Sequence, residues 1–494
     1  MTLRPIGAQA PPGFGEERSR PHAYPDGAGR ILRRRTTTTG EAMAAVVAES
    51  LARAVAHARP RPMPPGVRET CARLLVDVAG LCVAARHEPY VRACIASWEA
   101  QGGCTAIGHA RALDAAGAAF VNGTAAHGED FDDTFEGGPV HAGAVIVPAL
   151  LAAAERERLG GEDLLFGIAV GVEVMCRASL VAPRRIHQAG FHPTAVLGAM
   201  GAAAGVAAAC RFDEKAFASA QGIAGSMASG IIEYLAEGTS TKRLHPGWAA
   251  QAGLRAAALA RAGFDGPRTV WEGEHGFLHA FANTREGRWG ELLDGFGERW
   301  VAEALAFKPY ACGTMIHPYI DCARRLAARG IAAAAIVAIE CETAEGIVHR
   351  LWEPLEAKRR PPNAYAAKFS IPFGVAFGLL RGAAGLEAFS DANAADPGIR
   401  ELAAKVAYKV DPANPYPREY TGHLRATLRD GRVVEERQPH LRGGQHEPLS
   451  RSELEAKFRD NCRHGGWSDA LATAWLAWVE RAFDAPVALE RFRA

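Results

Sequence analysis

Two stretches decide the fold: residues 161–180, GEDLLFGIAVGVEVMCRASL, and residues 195–210, AVLGAMGAAAGVAAAC. Both are apolar nearly all round, which predicts helices buried at the centre of a large bundle rather than surface helices with one wet face. Gly198, Gly201 and Gly205 in the second are read as points of close helix approach. They are not a phosphate loop, because no strand precedes them and no G-K-[ST] follows. Outward toward the N-terminus, Cys71, Leu74, Leu75, Val78 and Cys82 recur at helical spacing after a Pro-Pro start signal. The helical pattern runs from Met43, which opens MAAVVAESLARAVAHA, to about residue 265. Residues 1–41, rich in Pro, Gly and Arg, have no sustained period and are expected to be a disordered extension, either genuine or the product of a misplaced start.

Further along, the period changes. Residues 336–343 read as a strand with Val337, Ile339, Cys341 and Thr343 on one face and Glu340 and Glu342 on the other. In HLRATLRDGRVVEER, Asp430-Gly431 separates two alternating runs, the signal of a hairpin. After Pro448 the chain returns to helix in SRSELEAKFRDN and SDALATAWLAWVERAF. The expected class is mainly α: a helical domain over 42–275, an inserted smaller α+β domain over 276–447, and C-terminal helices over 448–494 that rejoin the first. With 494 residues there is ample chain for such a division.

Composition narrows the function. Lys plus Arg total 56 and Asp plus Glu 55, so a net charge of +1 argues against nucleic acid or a membrane surface as a partner held by bulk charge. The apolar run from Ala142 to Ala154 is too short to span a bilayer. Ten cysteines without a C-x-x-C pair suggest reduced thiols in a cytoplasmic enzyme.

Chemistry concentrates in four segments. HGEDFDDTFEGGPVH, residues 127–141, packs Glu129, Asp130, Asp132 and Asp133 into five positions with Thr134 beside them and a histidine at each end. An acidic run alone is usually a solvated turn. Here the apolar AGAVIVPALLAAA follows at once and brings the loop to the mouth of a buried helix, where His141 would titrate abnormally. A magnesium-diphosphate site would need a second ligand-bearing segment, and a zinc site an H-E-x-x-H or paired-cysteine spacing; neither is present, so no metal is assigned. GFHPTAVLGAMG sets His192 at a helix start, a position that favours anions. EGTSTKRLHPGWAAQAG offers Lys242, Arg243 and His245 ahead of a helix. FKPYACGTMIHPYIDCA offers Lys308, Tyr310, Cys312 and His317 ahead of another.

The ordered set NGTAAHGEDFDDT, HAGAVIVPALLAAAE, GFHPTAV, GTSTKRLHPGWAAQAG, KPYACGTMIHPYIDCA and KFSIPFGVAFGL resembles the MmgE/PrpD family from about residue 43 to 480. That family includes 2-methylcitrate dehydratase, cis-aconitate decarboxylase and iminodisuccinate epimerase. The resemblance implies a homodimer with an all-α domain and an α+β lid, and a cofactor-free site between them. The family's polar site positions fall on Asp130, Thr134, His141, His192, Lys242 and Lys308. Their shared chemistry is a carbanion beside a carboxylate, formed by loss of a proton or of CO2. The substrate is then a small di- or tricarboxylate. Lys242, Lys308 and His317 are expected to bind its carboxylates. His141 and His192 are expected to move protons, with Asp130 and Thr134 orienting them or the substrate. Two departures are visible: FEGGPV is one residue longer than the same loop in the decarboxylases, and Phe373 replaces their tyrosine. These favour a hydro-lyase acting on a 2-methylcitrate-like acid. Decarboxylation, epimerisation and polycarboxylate binding without turnover are the alternatives.

Deleting residues 1–41 is expected to leave folding and activity intact; aggregation of the truncated protein on a sizing column would defeat that expectation.

Overall fold

Several helix boundaries follow local chemistry in the computed structural model, which describes residues 46–494 except 238 and 383. The expected N-terminal extension and Met43 lie outside the described residues. The longer helices begin with α1 (Val47–Ala58), α2 (Pro65–Ala85), α3 (Ala115–His127) and α4 (Gly143–Glu157). They are followed by α5 (Gly161–Val181), α6 (Pro193–Ala209), α7 (Glu214–Met227) and α8 (Thr241–Arg261). Proline opens α2 and α6, where its missing N–H costs no intrahelical bond. Asp114 and Asp213 cap α3 and α7 by accepting from the backbone N–H of Gly117 and Ala216.

The two apolar stretches become α5 and α6, packed side by side. A Cβ on Gly201 would stand 2.9 Å from the Gly171 carbonyl oxygen, and one on Gly205 2.7 Å from that of Gly167. Only glycine permits this approach. By length and composition α5 could cross a membrane, and it is longer than the apolar run singled out in the sequence. It is nonetheless 94% buried inside the protein over its most apolar window. Its two interior charges, Glu173 and Arg177, pair with each other at 2.5 Å.

That pair also binds the chain beyond residue 276. Arg177 donates to the carbonyls of Glu291 and Asp294 at 3.0 Å, and Glu173 accepts from the N–H groups of Val301 and Ala302 at 3.0 Å. The segment expected to begin the inserted domain therefore stays on the helical body until about residue 304.

Beyond it come α9 (His317–Ala328), β1 (Ile336–Thr343), α10 (Ile371–Arg381), β2 (Val406–Val410), β3 (Gly422–Leu428) and β4 (Val433–Gln438). The strands form one sheet in the order β2-β1-β3-β4, with only the β1–β2 pair parallel. α9 packs on β3 and β4 and against α10. The hairpin turns at Asp430-Gly431, with Gly431 at φ 83°. β1 spans the expected residues but not with the expected face. Its register against β3 shifts between Ile336 and Ala338, so Val337 turns outward and is 53% exposed, while Ile339, Cys341 and Thr343 stay inside. Finally α11 (Arg451–His464), opened by a Ser450–Glu453 capping box, and α12 (Asp469–Val479) return to α2. All ten cysteines are free.

α8 leans on α3 so closely that a Cβ on Gly123 would lie 2.7 Å from the Gly247 Cα. A methyl on Gly247 would overlap the Phe120 carbonyl oxygen, which is backbone and cannot step aside. Gly247→Ala should gain about 1 kcal/mol of helix propensity and lose about 1–3 kcal/mol to overpacking. Its melting temperature is expected to fall. Gly103→Ala, whose added methyl meets nothing within 4 Å, is the control that should not melt earlier.

Candidate active site

The acidic loop between α3 and α4 is not a solvated turn. Asp132 and Asp133 have no exposed surface and Asp130 retains 4%. Asp133 accepts from the N–H groups of Ala142 and Gly143 at 3.0 and 2.9 Å, which ties the loop to the start of α4. Burial, with Asp132 and Asp77 nearby, pushes its carboxyl well above the usual range. That group is structural.

Asp130 and Asp132 go the other way. Burial opposes ionisation of Asp130, but the ammonium groups of Lys242 and Lys308, with His127, outweigh it and hold the carboxyl low. Lys242 is ion-paired directly to Asp130. Burial opposes its charge too, and Asp130 reverses the balance, so its ammonium is held more firmly than in water. Asp132 is likewise held well down against burial by His127, His141 and Lys308. His127 Nδ1 lies 2.6 Å from one Asp132 oxygen and Lys308 Nζ 3.5 Å from the other.

Lys308 arrives by backbone pairing. Thr134–Phe135 forms a two-residue antiparallel bridge with Leu305–Ala306, and Lys308 follows two residues later. Lys242 stands in the first turn of α8, not on a loop before a helix as the sequence suggested. Removing it would therefore leave a buried carboxylate unpaired, at a cost of roughly 3–5 kcal/mol.

Four histidines converge beside these charges. The rings of His127 and His141 are 4.9 Å apart, those of His127 and His192 5.7 Å, and those of His192 and His245 5.3 Å. His192 and His245 share a hydrogen bond between their Nδ1 atoms at 3.1 Å, and the Tyr234 ring packs against both. His141 Nδ1 lies 2.7 Å from the Asp133 carbonyl oxygen, so it donates there, and the tautomer leaves Nε2 with a free lone pair. Its backbone N–H donates to Thr194 Oγ1 at 3.2 Å. His127 is sealed, whereas the His141 side chain keeps 13% exposure, so the available lone pair belongs to His141. Burial, opposed by Asp132 and reinforced by Lys308, lowers its pKa to about 3. Burial and His127 lower that of His245 to about 4, and His192 also falls well below the ordinary value. His141, His192 and His245 are thus neutral imidazoles beside fixed ammonium groups.

Five of the residues singled out in the sequence, Asp130, His141, His192, Lys242 and Lys308, meet in this cluster. Thr134 is buried in the short strand bridge at its edge. His317 opens α9, fully buried, with Nε2 3.2 Å from the Cys312 carbonyl oxygen and its ring against Tyr310; burial and the Lys308 ammonium hold it well below the usual imidazole range. His245, Asp132, Tyr234, Lys368 and Lys457 join the cluster or its supports without having been assigned. His245 lies three residues after Lys242, on the adjoining helical turn, and that spacing could have marked it. His127, Asp132 and His141 bring ligand atoms within 4.8 Å of one another, close enough for a metal ion. His127 Nδ1 is turned to Asp132 and His141 Nδ1 to the Asp133 carbonyl, which leaves the two Nε2 atoms unbonded among the described residues, while Lys308 already supplies positive charge beside Asp132.

The MmgE/PrpD N-terminal domain matches residues 49–289 and the MmgE/PrpD C-terminal domain residues 310–473, which puts their junction where the chain leaves the helical body. The sequence is 32% identical to cis-aconitate decarboxylase of Homo sapiens over 359 residues, covering 70% of this chain and 72% of the relative. It is 30% identical to the Mus musculus protein of the same name, over 70% and 71% of the two chains. Against cis-aconitate decarboxylase of Aspergillus terreus it is 28% identical over 369 residues, covering 70% and 74%. The chain belongs to the MmgE/PrpD family.

Proposed function

We propose that this protein is a cofactor-independent lyase that decarboxylates a cis-aconitate-like tricarboxylate. The observation that carries the reading is the open lone pair of His141 beside the buried ammonium groups of Lys242 and Lys308. A polyanion needs fixed cations, and a carbanion needs a nearby group that exchanges protons. The similarity to cis-aconitate decarboxylases shifts the preference from the hydro-lyase favoured by the sequence. Phe373, the residue that argued against decarboxylation, packs with Phe377 and Phe389 in an aromatic group, with centroids 6.0 and 5.8 Å away. Dehydration of a hydroxy polycarboxylate remains the second reading, supported by the neutral state of His141, which is already that of a base.

In the proposed reaction the bond from a methylene carbon to its carboxylate breaks and CO2 leaves. The electron pair moves through the adjoining double bond to the far carbon, which takes up a proton. Charge building on that carbon spreads into its carboxylate, where the lysines stabilise it. The proton donor must be charged first. A trianion docking against His141 opposes the burial that keeps this imidazole neutral, so binding and proton uptake are linked.

Incubation with cis-aconitate in deuterated buffer should release CO2 and leave a five-carbon diacid carrying one solvent deuterium at the protonated carbon, read by NMR. His141→Gln should lower kcat by roughly two to four orders of magnitude. Turnover of 2-methylcitrate but not of cis-aconitate would install the hydro-lyase reading, and no turnover with either, despite ligand-dependent stabilisation, would leave only binding.

Exhaustive chelation is expected to leave turnover unchanged. Activity that follows occupancy by a metal at His127, Asp132 and His141 would overturn the metal-free chemistry.

A further inference from the structure

Three lysines meet three consecutive carbonyls of the acidic loop. Lys368 Nζ donates to the Glu129 carbonyl oxygen at 2.7 Å, Lys308 to that of Asp130 at 2.9 Å, and Lys457 to that of Phe131 at 2.7 Å. They reach the loop from 239, 178 and 326 residues away in sequence. All three are buried. Each ammonium also faces a carboxylate: Lys368 meets Glu129 Oε2 at 2.6 Å, Lys308 meets Asp132 at 3.5 Å and Lys457 meets Asp77 at 2.7 Å. Lys457 further lies 4.0 Å over the Phe131 ring.

What they grip is a strained turn. Asp130 has φ 54°, in the left-handed region that is uncommon for a residue with a side chain, although aspartate enters it more readily than most. Its carboxylate is the one paired with Lys242. A chain reversing there turns successive carbonyls away from any helical donor, and buried carbonyls need partners. The ammonium groups are those partners, and charge makes each hydrogen bond stronger than a neutral one.

We propose that Lys368 and Lys457 are positioning residues which, with Lys308, clasp the carbonyls of Glu129, Asp130 and Phe131 and so hold Asp130 in the strained backbone that presents it to Lys242. The functional consequence rests on the lyase reading above; the clasp itself does not. Two of the lysines belong to the α+β portion and its approach, and the third to α11. The loop is therefore in its working shape only when both have docked on the helical body.

Lys457 is the cleanest one to test, because its second partner, Asp77, belongs to α2 rather than to the acidic loop. Lys457→Met should speed backbone hydrogen exchange in peptides covering 127–135 while peptides from α5 and α6 stay protected. With cis-aconitate as substrate it should lower kcat roughly 10- to 100-fold, the price of a small misplacement, and change KM by less than about threefold. Asp77→Asn keeps the bond to Phe131 and should retain near wild-type kcat. The double variant Asp77→Asn/Lys457→Met removes the unpaired charge but not the vacancy at the carbonyl, so it should remain impaired. Recovery of kcat in the double variant would mean that Lys457 only neutralises Asp77 and would overturn the proposal. Unchanged exchange in Lys457→Met would overturn the clasp while leaving the lyase reading intact. Faster exchange with undiminished turnover would instead remove the loop from catalysis, and with it both the positioning role and the assignment of the site.

Discussion

The structure depends on keeping carboxylates charged inside an apolar helical body. Asp130 and Asp132 are buried, and burial alone would neutralise them. They stay ionised because Lys242, Lys308 and His127 surround them at ion-pair and hydrogen-bond distances. The two ammonium groups come from distant parts of the chain, so long-range folding and site electrostatics are one problem with one solution. Asp133 illustrates the alternative: it has two backbone donors but no ammonium at ion-pair distance among the described residues, and it is driven toward the neutral form.

The same constraint explains the division of labour between the two portions. The helical body carries the acidic loop, His141, His192, Lys242 and His245 on elements fixed by close packing. Small residues such as Gly123 and Gly247 bring α3 and α8 near enough for both to end at the cluster. The later portion contributes Lys308 through the Thr134–Ala306 bridge and Lys368 from the turn before α10. Neither portion holds a complete set of charges. A site of this kind excludes water where cations and imidazoles face each other, and there a few fixed charges are worth far more than on a surface.

Histidine chemistry here is likewise set by position rather than by residue type. His141 and His127 are neighbours in space with opposite prospects. His127 is sealed against Asp132, whereas His141 spends one nitrogen on a carbonyl and keeps the other free. His317, on an equally suggestive segment, also turns one nitrogen to a carbonyl, that of Cys312, but it is fully buried at the start of α9 and its other nitrogen meets no partner among the described residues. No local pattern separates these three histidines.

Periodicity, turn chemistry and segment order determined much of this protein from its sequence. The all-round apolar runs at 161–180 and 195–210 could only be interior helices, Asp430-Gly431 could hardly be other than a hairpin turn, and the ordered motifs marked Asp130, His141, His192, Lys242 and Lys308. These signals are local or additive, and a linear reading captures them. Tertiary structure alone decided the rest. The outward turn of Val337 follows from a register shift against β3, which is a property of two strands. The attachment of the segment up to residue 304 follows from the Glu173–Arg177 pair, whose partners lie more than a hundred residues on. Lys457 reads as an ordinary charge on an amphipathic helix, yet it is buried against Phe131 because α11 packs on α2 beside the loop. Sequence spacing encodes which face a residue occupies within its own element. It does not encode which carbonyl, 326 residues earlier, will be waiting on the other side.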